Sequence, residues 1–185
     1  FNERLKKINA LKFTRVGTEI EIDLIALQNN SGDASKFAER AKNVSDNTHL
    51  SIILESKSAD NMKAALGTCA DKKPLIYGAN AENWEAMATI AKEKNCPMTI
   101  SAPTLEELAD LTEKIKGAGV TEIVLNQVSE STKEILQGLT KIRRAALKKA
   151  FRQLGFPALT YMPNGNPIQE IASASAFMSK YAGIV

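Results

Sequence analysis

Apolar residues along this chain alternate between two rhythms. Short unbroken runs are followed by stretches in which apolar positions return at i, i+3, i+4 and i+7, the signature of a buried strand and then an amphipathic helix. The clearest instance is Lys-Pro-Leu-Ile-Tyr at 73–77, a turn at Gly78–Asn80, and a helix over 81–92. There Asn80 reads as the N-cap, and Trp84, Met87, Ala88 and Ala91 share one face. A strand that is apolar throughout suits a sheet covered on both sides.

The same unit repeats from end to end. Residues 2–9 read as a helix with Leu5 and Ile8 on one face, and Gly17 marks a turn before a single strand over 20–27. Asp33 caps a helix carrying Phe37, Ala41 and Val44, and a strand at 50–54 leads to a helix over 59–70 with Met62, Leu66 and Cys69 in register. After the 73–77 unit comes a strand at 97–101, then a helix over 104–116 that opens on a capping-box pattern, Thr104 with Glu107, and stops at Gly117 and Gly119. A strand at 121–125 precedes a long helix over 131–152. A strand at 157–161, a turn-rich segment at 162–167, a helix with Ile168, Ile171, Ala172, Ser175 and Met178 on one stripe, and a strand at 183–185 complete the series.

Seven strands alternating with helices imply parallel βαβ units. The fold class expected is α/β, a TIM (β/α)8 barrel truncated at both ends, with an eighth strand just upstream of Phe1. An open doubly wound sheet is the alternative, but the glycine-rich turn of a dinucleotide fold is absent. One incomplete barrel domain over 1–185 is the expected organisation. Opening on Phe1, inside a helical segment, the chain reads as an internal piece of something longer.

Composition narrows the functional classes. The chain is 44% hydrophobic and 24% charged with a net charge of +3, values that indicate no bulk affinity for an acidic partner. No apolar run approaches a membrane span and no signal-peptide pattern is present. Two cysteines, Cys69 and Cys96, are too few for a disulfide framework or a four-ligand metal site, and point to reducing cytoplasm. Both read as packing residues.

In such barrels chemistry lies at the C-terminal ends of the strands. Those positions hold Gln28–Asn30, Glu55–Lys57, Gly78–Asn80, Ala102–Pro103, Asn126–Gln127 and Met162–Gly165, a rim rich in amides. Glu55 is the lone carboxylate directly after a strand, whereas glycoside hydrolysis needs a facing pair. Lys57 is misplaced for a Schiff-base amine. His49 precedes its strand and so falls at the opposite end, as a structural residue. Asn29, Asn80 and Asn126 suit a flat polar ligand such as a pterin, or serve simply as turn residues. The run from Lys141 to Arg152 carries six cations. Helical spacing assigns Ile142, Ala146, Leu147 and Phe151 to its buried side, leaving an Arg143–Arg152 face that is either solvated or a docking surface for an acidic partner. Nucleic-acid binding is disfavoured, since no aromatic platform accompanies the charge.

The collinear order of several stretches resembles the large (gamma) subunit family of the corrinoid iron–sulfur protein. They are 71–77 with 83–87 and 93–97, then 137–149 running into Phe151–Arg152 and Gly155–Pro157, Arg15–Gly17, and Ser179–Val185. The resemblance implies a methyl carrier of the acetyl-CoA synthase/CO dehydrogenase system of anaerobes. It would move a methyl group from a methyl-tetrahydropterin, through a methyltransferase, to acetyl-CoA synthase. It implies a corrinoid and a [4Fe-4S] cluster for the full-length subunit, held in an N-terminal iron–sulfur domain and a C-terminal corrinoid domain. This chain matches only the central barrel, so no catalytic, cofactor-binding or metal residue is assigned within 1–185. Partners implied are the small subunit, the methyltransferase and acetyl-CoA synthase, with neither nucleic acid nor membrane, in the cytoplasm. The competing reading is a pterin-dependent methyltransferase-like barrel enzyme using the three asparagines.

Overall fold

The computed structural model describes residues 1–163 and 165–185. Helix α1 (Asn2–Asn9) leads into an antiparallel hairpin of β1 (Lys12–Arg15) and β2 (Thr18–Glu21), and only then does the parallel sheet begin. Its strands are β3 (Leu24–Gln28), β4 (Ser51–Glu55), β5 (Leu75–Ala79), β6 (Met98–Ala102) and β7 (Ile123–Gln127), hydrogen-bonded in chain order. Between and after them run α2 (Ala34–Asn47), α3 (Ala59–Cys69), α4 (Trp84–Lys94), α5 (Leu105–Gly117), α6 (Thr132–Lys148) and α7 (Pro167–Ser179).

Two further positions extend the parallel series by single bridges. Ala158 pairs with Leu125, and Ile184 with Leu159. Backbone bonds from Leu125 N to Pro157 O and from Thr160 N to Ile184 O, 2.8 and 3.0 Å, carry the ladder across both steps. Seven parallel strands in chain order are therefore present, as the alternating pattern implies. The two ends of the series, β3 and Ile184, line opposite sides of a cavity of about 500 Å³.

Period-two alternation gives each strand two destinies. Ile52, Leu54, Ile76, Met98, Ile100 and Leu125 point outward into the main core against the helices, where Met62, Leu66, Met87, Leu108 and Ile115 are fully buried. Ile53, Leu75 and Leu159 point the other way and form a separate apolar cluster in the lumen with Leu24, Val124 and Ile184. Burying one such side chain contributes about 1.5–3 kcal/mol.

Five expectations need correction. The strand placed over 20–27 is two elements, because Glu21 still pairs in the hairpin with Lys12 and the chain redirects at Ile22–Asp23 before β3. Asn80 does not cap α4 through its side chain. Asn83 holds the cap position, and Asn80 Oδ1 instead accepts the Glu82 and Asn83 N–H groups. The long helix ends at Lys148 rather than Arg152, since Ala150 adopts a left-handed φ of 49° and a 3-10 turn follows over Arg152–Leu154. Of its assigned inner side only Ile142 is buried, while Leu147 and Phe151 are 65% and 40% exposed. In α7 the apolar stripe also faces outward: Ile168 is 79% exposed, and Phe177 is the buried contact, against Ile135 and Leu139 of α6.

Candidate functional site

The strand alternation that fills the lumen with aliphatic residues places a polar layer two residues further on, at the C-terminal mouth. Ile53 is followed by Glu55, Leu75 by Tyr77, Thr99 by Ser101, Val124 by Asn126 and Leu159 by Tyr161. These side chains meet. Asn126 Nδ2 donates to Tyr77 Oη at 2.7 Å and to Ser101 Oγ at 3.2 Å. Tyr161 Oη donates to Glu55 Oε2 at 3.2 Å, and Gln28 Nε2 donates to Glu55 Oε1 at 3.1 Å. The rings of Tyr77 and Tyr161 stack edge to face with centroids 5.2 Å apart.

Burial sets the electrostatics of this layer. Desolvation raises the Tyr77 phenol above its ordinary value, opposed by the Ser101 hydrogen bond. Desolvation also raises Tyr161, and the adjacent Glu55 carboxylate reinforces it. Both phenols therefore stay protonated at neutral pH; Tyr161 donates to Glu55, while Tyr77 accepts from Asn126. With a single carboxylate already accepting two hydrogen bonds, the layer has no facing acid–base pair.

Above it opens a cavity of about 710 Å³. Asn29, Glu55, Lys57, Asn80 and Pro103 are among the residues that line it; Asn126 is 4% exposed and lies beneath. The three asparagines are thus not brought together around one space. Asn29 Oδ1 accepts from Ser31 Oγ and Gly32 N, and Asn80 Oδ1 shapes the turn into α4, so both amide oxygens are committed to their loops. Asn83 ties that turn down by donating to Lys57 O and Gly78 O. Gly78 has φ 130°, and a Cβ there would collide with the Ser56 carbonyl, so the rim closes only around glycine. Asn164, which the sequence pattern places on the rim, lies outside the described residues.

Elsewhere the candidate residues stand apart. His49 lies at the far end of the sheet, exposed, with Nε2 3.9 Å from Glu21. Cys69 and Cys96 are buried, with Sγ donating to Ala65 O and Lys94 O. Among the described residues no three His, Cys, Asp or Glu side chains converge as metal ligands, and no helix is long and apolar enough to cross a membrane. Reading only the residues after each strand misses Tyr77, Ser101 and Tyr161; the period-two count from Leu75, Thr99 and Leu159 was the signal that finds them.

Comparison with known proteins adds three findings. A family model described as "CO dehydrogenase/acetyl-CoA synthase delta subunit" matches residues 1–185. The corrinoid/iron-sulfur protein large subunit of Moorella thermoacetica is 37% identical over 98% of this chain. The acetyl-CoA decarbonylase/synthase complex subunit gamma of Methanothermobacter thermautotrophicus is 33% identical over 98%. The chain spans 41% and 42% of those two proteins. Among solved structures, dihydropteroate synthase from Thermus thermophilus superposes with a TM-score of 0.65 at 14% identity, covering 98% of this chain and 79% of that one. The Yersinia pestis enzyme, solved with a pterine-sulfa conjugate, gives 0.61 at 13% identity, over 95% and 91%. These likenesses establish the TIM-barrel fold.

Proposed function

We infer, for a chain that belongs to the CO dehydrogenase/acetyl-CoA synthase delta subunit family, that it is the scaffold barrel of a corrinoid iron–sulfur methyl carrier. The observation that carries this reading is the match of 98% of the chain to a large and to a gamma subunit, together with a family model that covers residues 1–185. The full-length protein would pass a methyl group from a methyl-tetrahydropterin, delivered by a methyltransferase, to acetyl-CoA synthase. Its proposed partners are that methyltransferase, acetyl-CoA synthase and the small subunit, in the cytoplasm.

The cysteines of this chain do not fit an iron–sulfur cluster. A [4Fe-4S] cluster takes four thiolates, whereas this chain has two cysteines, both buried and engaged with backbone carbonyls. The cluster and the corrinoid are accordingly proposed to belong to parts of the protein other than residues 1–185. What this chain supplies is a barrel whose polar layer, below the open mouth, is tied together by its own hydrogen bonds.

A second reading is favoured by the mouth cavity, which is large enough for a bicyclic ligand and sits on a fold shared with a pterin-binding synthase. Titration calorimetry of the anaerobic full-length protein with tetrahydropterin separates the two. The scaffold reading expects no heat of binding, and methyl-transfer rates within twofold of wild type for Glu55→Gln and Lys57→Ala. Saturable binding that Glu55→Gln weakens, with a matching loss of rate, would transfer the function to the mouth.

A further inference from the structure

The seam between α5 and α6 differs from the other seams between consecutive helices from α2 to α7. Consecutive outer helices pack directly on one another at α2–α3, α3–α4, α4–α5 and α6–α7, but α5 and α6 are barely in contact and meet through the 3-10 turn at Arg152–Leu154. That turn is held in place on α5 by Gln153 Nε2, which donates to Glu113 Oε1 at 2.6 Å. The result is a cleft of about 680 Å³. Its lining shares no residue with the cavity between β3 and Ile184, and α4 and α7 pack on its two outer sides.

The chemistry of the cleft is two-sided. Its floor is apolar: Leu105 and Ala109 from α5, Ala145 from α6, and Phe151 and Leu154 from the turn. Lys141, Arg144, Lys148 and Lys149 stand around it, and among the described residues none of the four pairs with a carboxylate. One carboxylate, Glu106, lies at the end nearest the mouth. Arg143, on the other side of α6, is already engaged over the ring of Tyr181 at 5.6 Å. Of the six cations in the run from Lys141 to Arg152, Arg143 is thus committed and Lys141, Arg144, Lys148 and Lys149 line an apolar channel. A second cavity of about 320 Å³ shares Leu105, Glu106 and Lys141 and extends the furrow to Gln127 and Pro103 at the rim.

We propose that this furrow is a docking site for an acidic amphipathic helix of a partner protein, seated on Leu105, Ala109, Ala145, Phe151 and Leu154 and flanked by Lys141, Arg144, Lys148 and Lys149. A gap between two splayed helices takes a third helix as its natural filler, read through i, i+3, i+4 and i+7 anchors. The cation rim adds charge complementarity, which selects carboxylates and excludes basic segments. Nucleic acid would use the same charges but leave most of the apolar floor uncovered, since Phe151 is a lone aromatic among its aliphatic lining. The inference does not depend on the methyl-carrier reading, because it rests on the seam alone.

The test is fluorescence anisotropy on the anaerobic full-length protein. The probe is a labelled helical peptide of about 16 residues with Leu on one face and Glu beside it. Its controls are the same peptide with Lys for Glu, and a labelled DNA duplex. The proposal expects saturable binding of the acidic peptide alone. That binding should weaken at least tenfold in the double variant R144E/K148E and at least tenfold in F151S, which removes an exposed apolar contact of the floor and leaves every cation in place. Hydrogen exchange should then slow at 105–109 and 141–154 in the complex. Circular dichroism and melting of both variants, altered at the surface, should match the wild type. Equal binding of the Lys peptide, preferential binding of the duplex, protection elsewhere, or no binding would each overturn it.

Discussion

At the scale of single residues, Gly78 and Cys69 carry the sharpest consequences. Gly78 combines a φ of 130° with a carbonyl where a side chain would go, so Gly78→Ala must both strain the backbone and push β5 from the loop after β4. A loss of about 2–4 kcal/mol in urea unfolding is expected, far above the usual surface substitution. Cys69 tests burial chemically. Desolvation pushes its thiol up to about 11 from an ordinary 9.0. Because the folded value lies above the unfolded one, its contribution to stability is intact below pH 9.0 and is lost as pH climbs toward about 11. Unfolding free energies measured from pH 8 to 11 should therefore fall less steeply for Cys69→Ala than for wild type. Identical slopes would place the thiol in water. The polar layer was partly legible at this scale: Glu55 and Asn126 stand out beside a strand end, but Tyr77 and Tyr161 pass for ordinary apolar strand residues until alternation is counted from Leu75 and Leu159.

Elements were read best where local and tertiary signals agree. Asp33 caps α2 as its position before an amphipathic run suggests, with Oδ1 accepting from Lys36 N at 2.9 Å. Thr104 shows half of the box read into it: its hydroxyl accepts from Glu107 N, but Glu107 bonds back to that hydroxyl instead of the Thr104 amide. The complete box lies at Asn166 and Gln169, hidden within a turn-rich stretch. Replacing Asn166 with Ala should cost about 1 kcal/mol by thermal melting. In α7 periodicity alone misleads, because the Ile168–Met178 stripe and Phe177 lie on different faces and only Phe177 meets α6. Phe177→Ala is expected to cost about 3–5 kcal/mol, which denaturant titration reads directly. The N-terminal hairpin was half legible: Gly17 marks its turn, but the break at Ile22–Asp23 interrupts what looks like one strand over 20–27.

For the whole molecule, strand–helix alternation sufficed to reveal seven parallel strands in chain order, since each outward strand face needs a helix to cover it. What alternation does not encode is how closely neighbouring helices approach, and so the α5–α6 furrow is visible only in three dimensions. The central claim is that this barrel works as the scaffold of a cofactor-carrying subunit within a larger complex. Native mass spectrometry of the anaerobically purified full-length protein, with and without the proposed small subunit, tests it most directly. The account predicts a heterodimer whose excess mass equals one corrinoid plus one four-iron cluster, both lost with other parts of the protein and neither retained by residues 1–185. A cofactor-free homo-oligomer would contradict it and move the search for function to the barrel mouth.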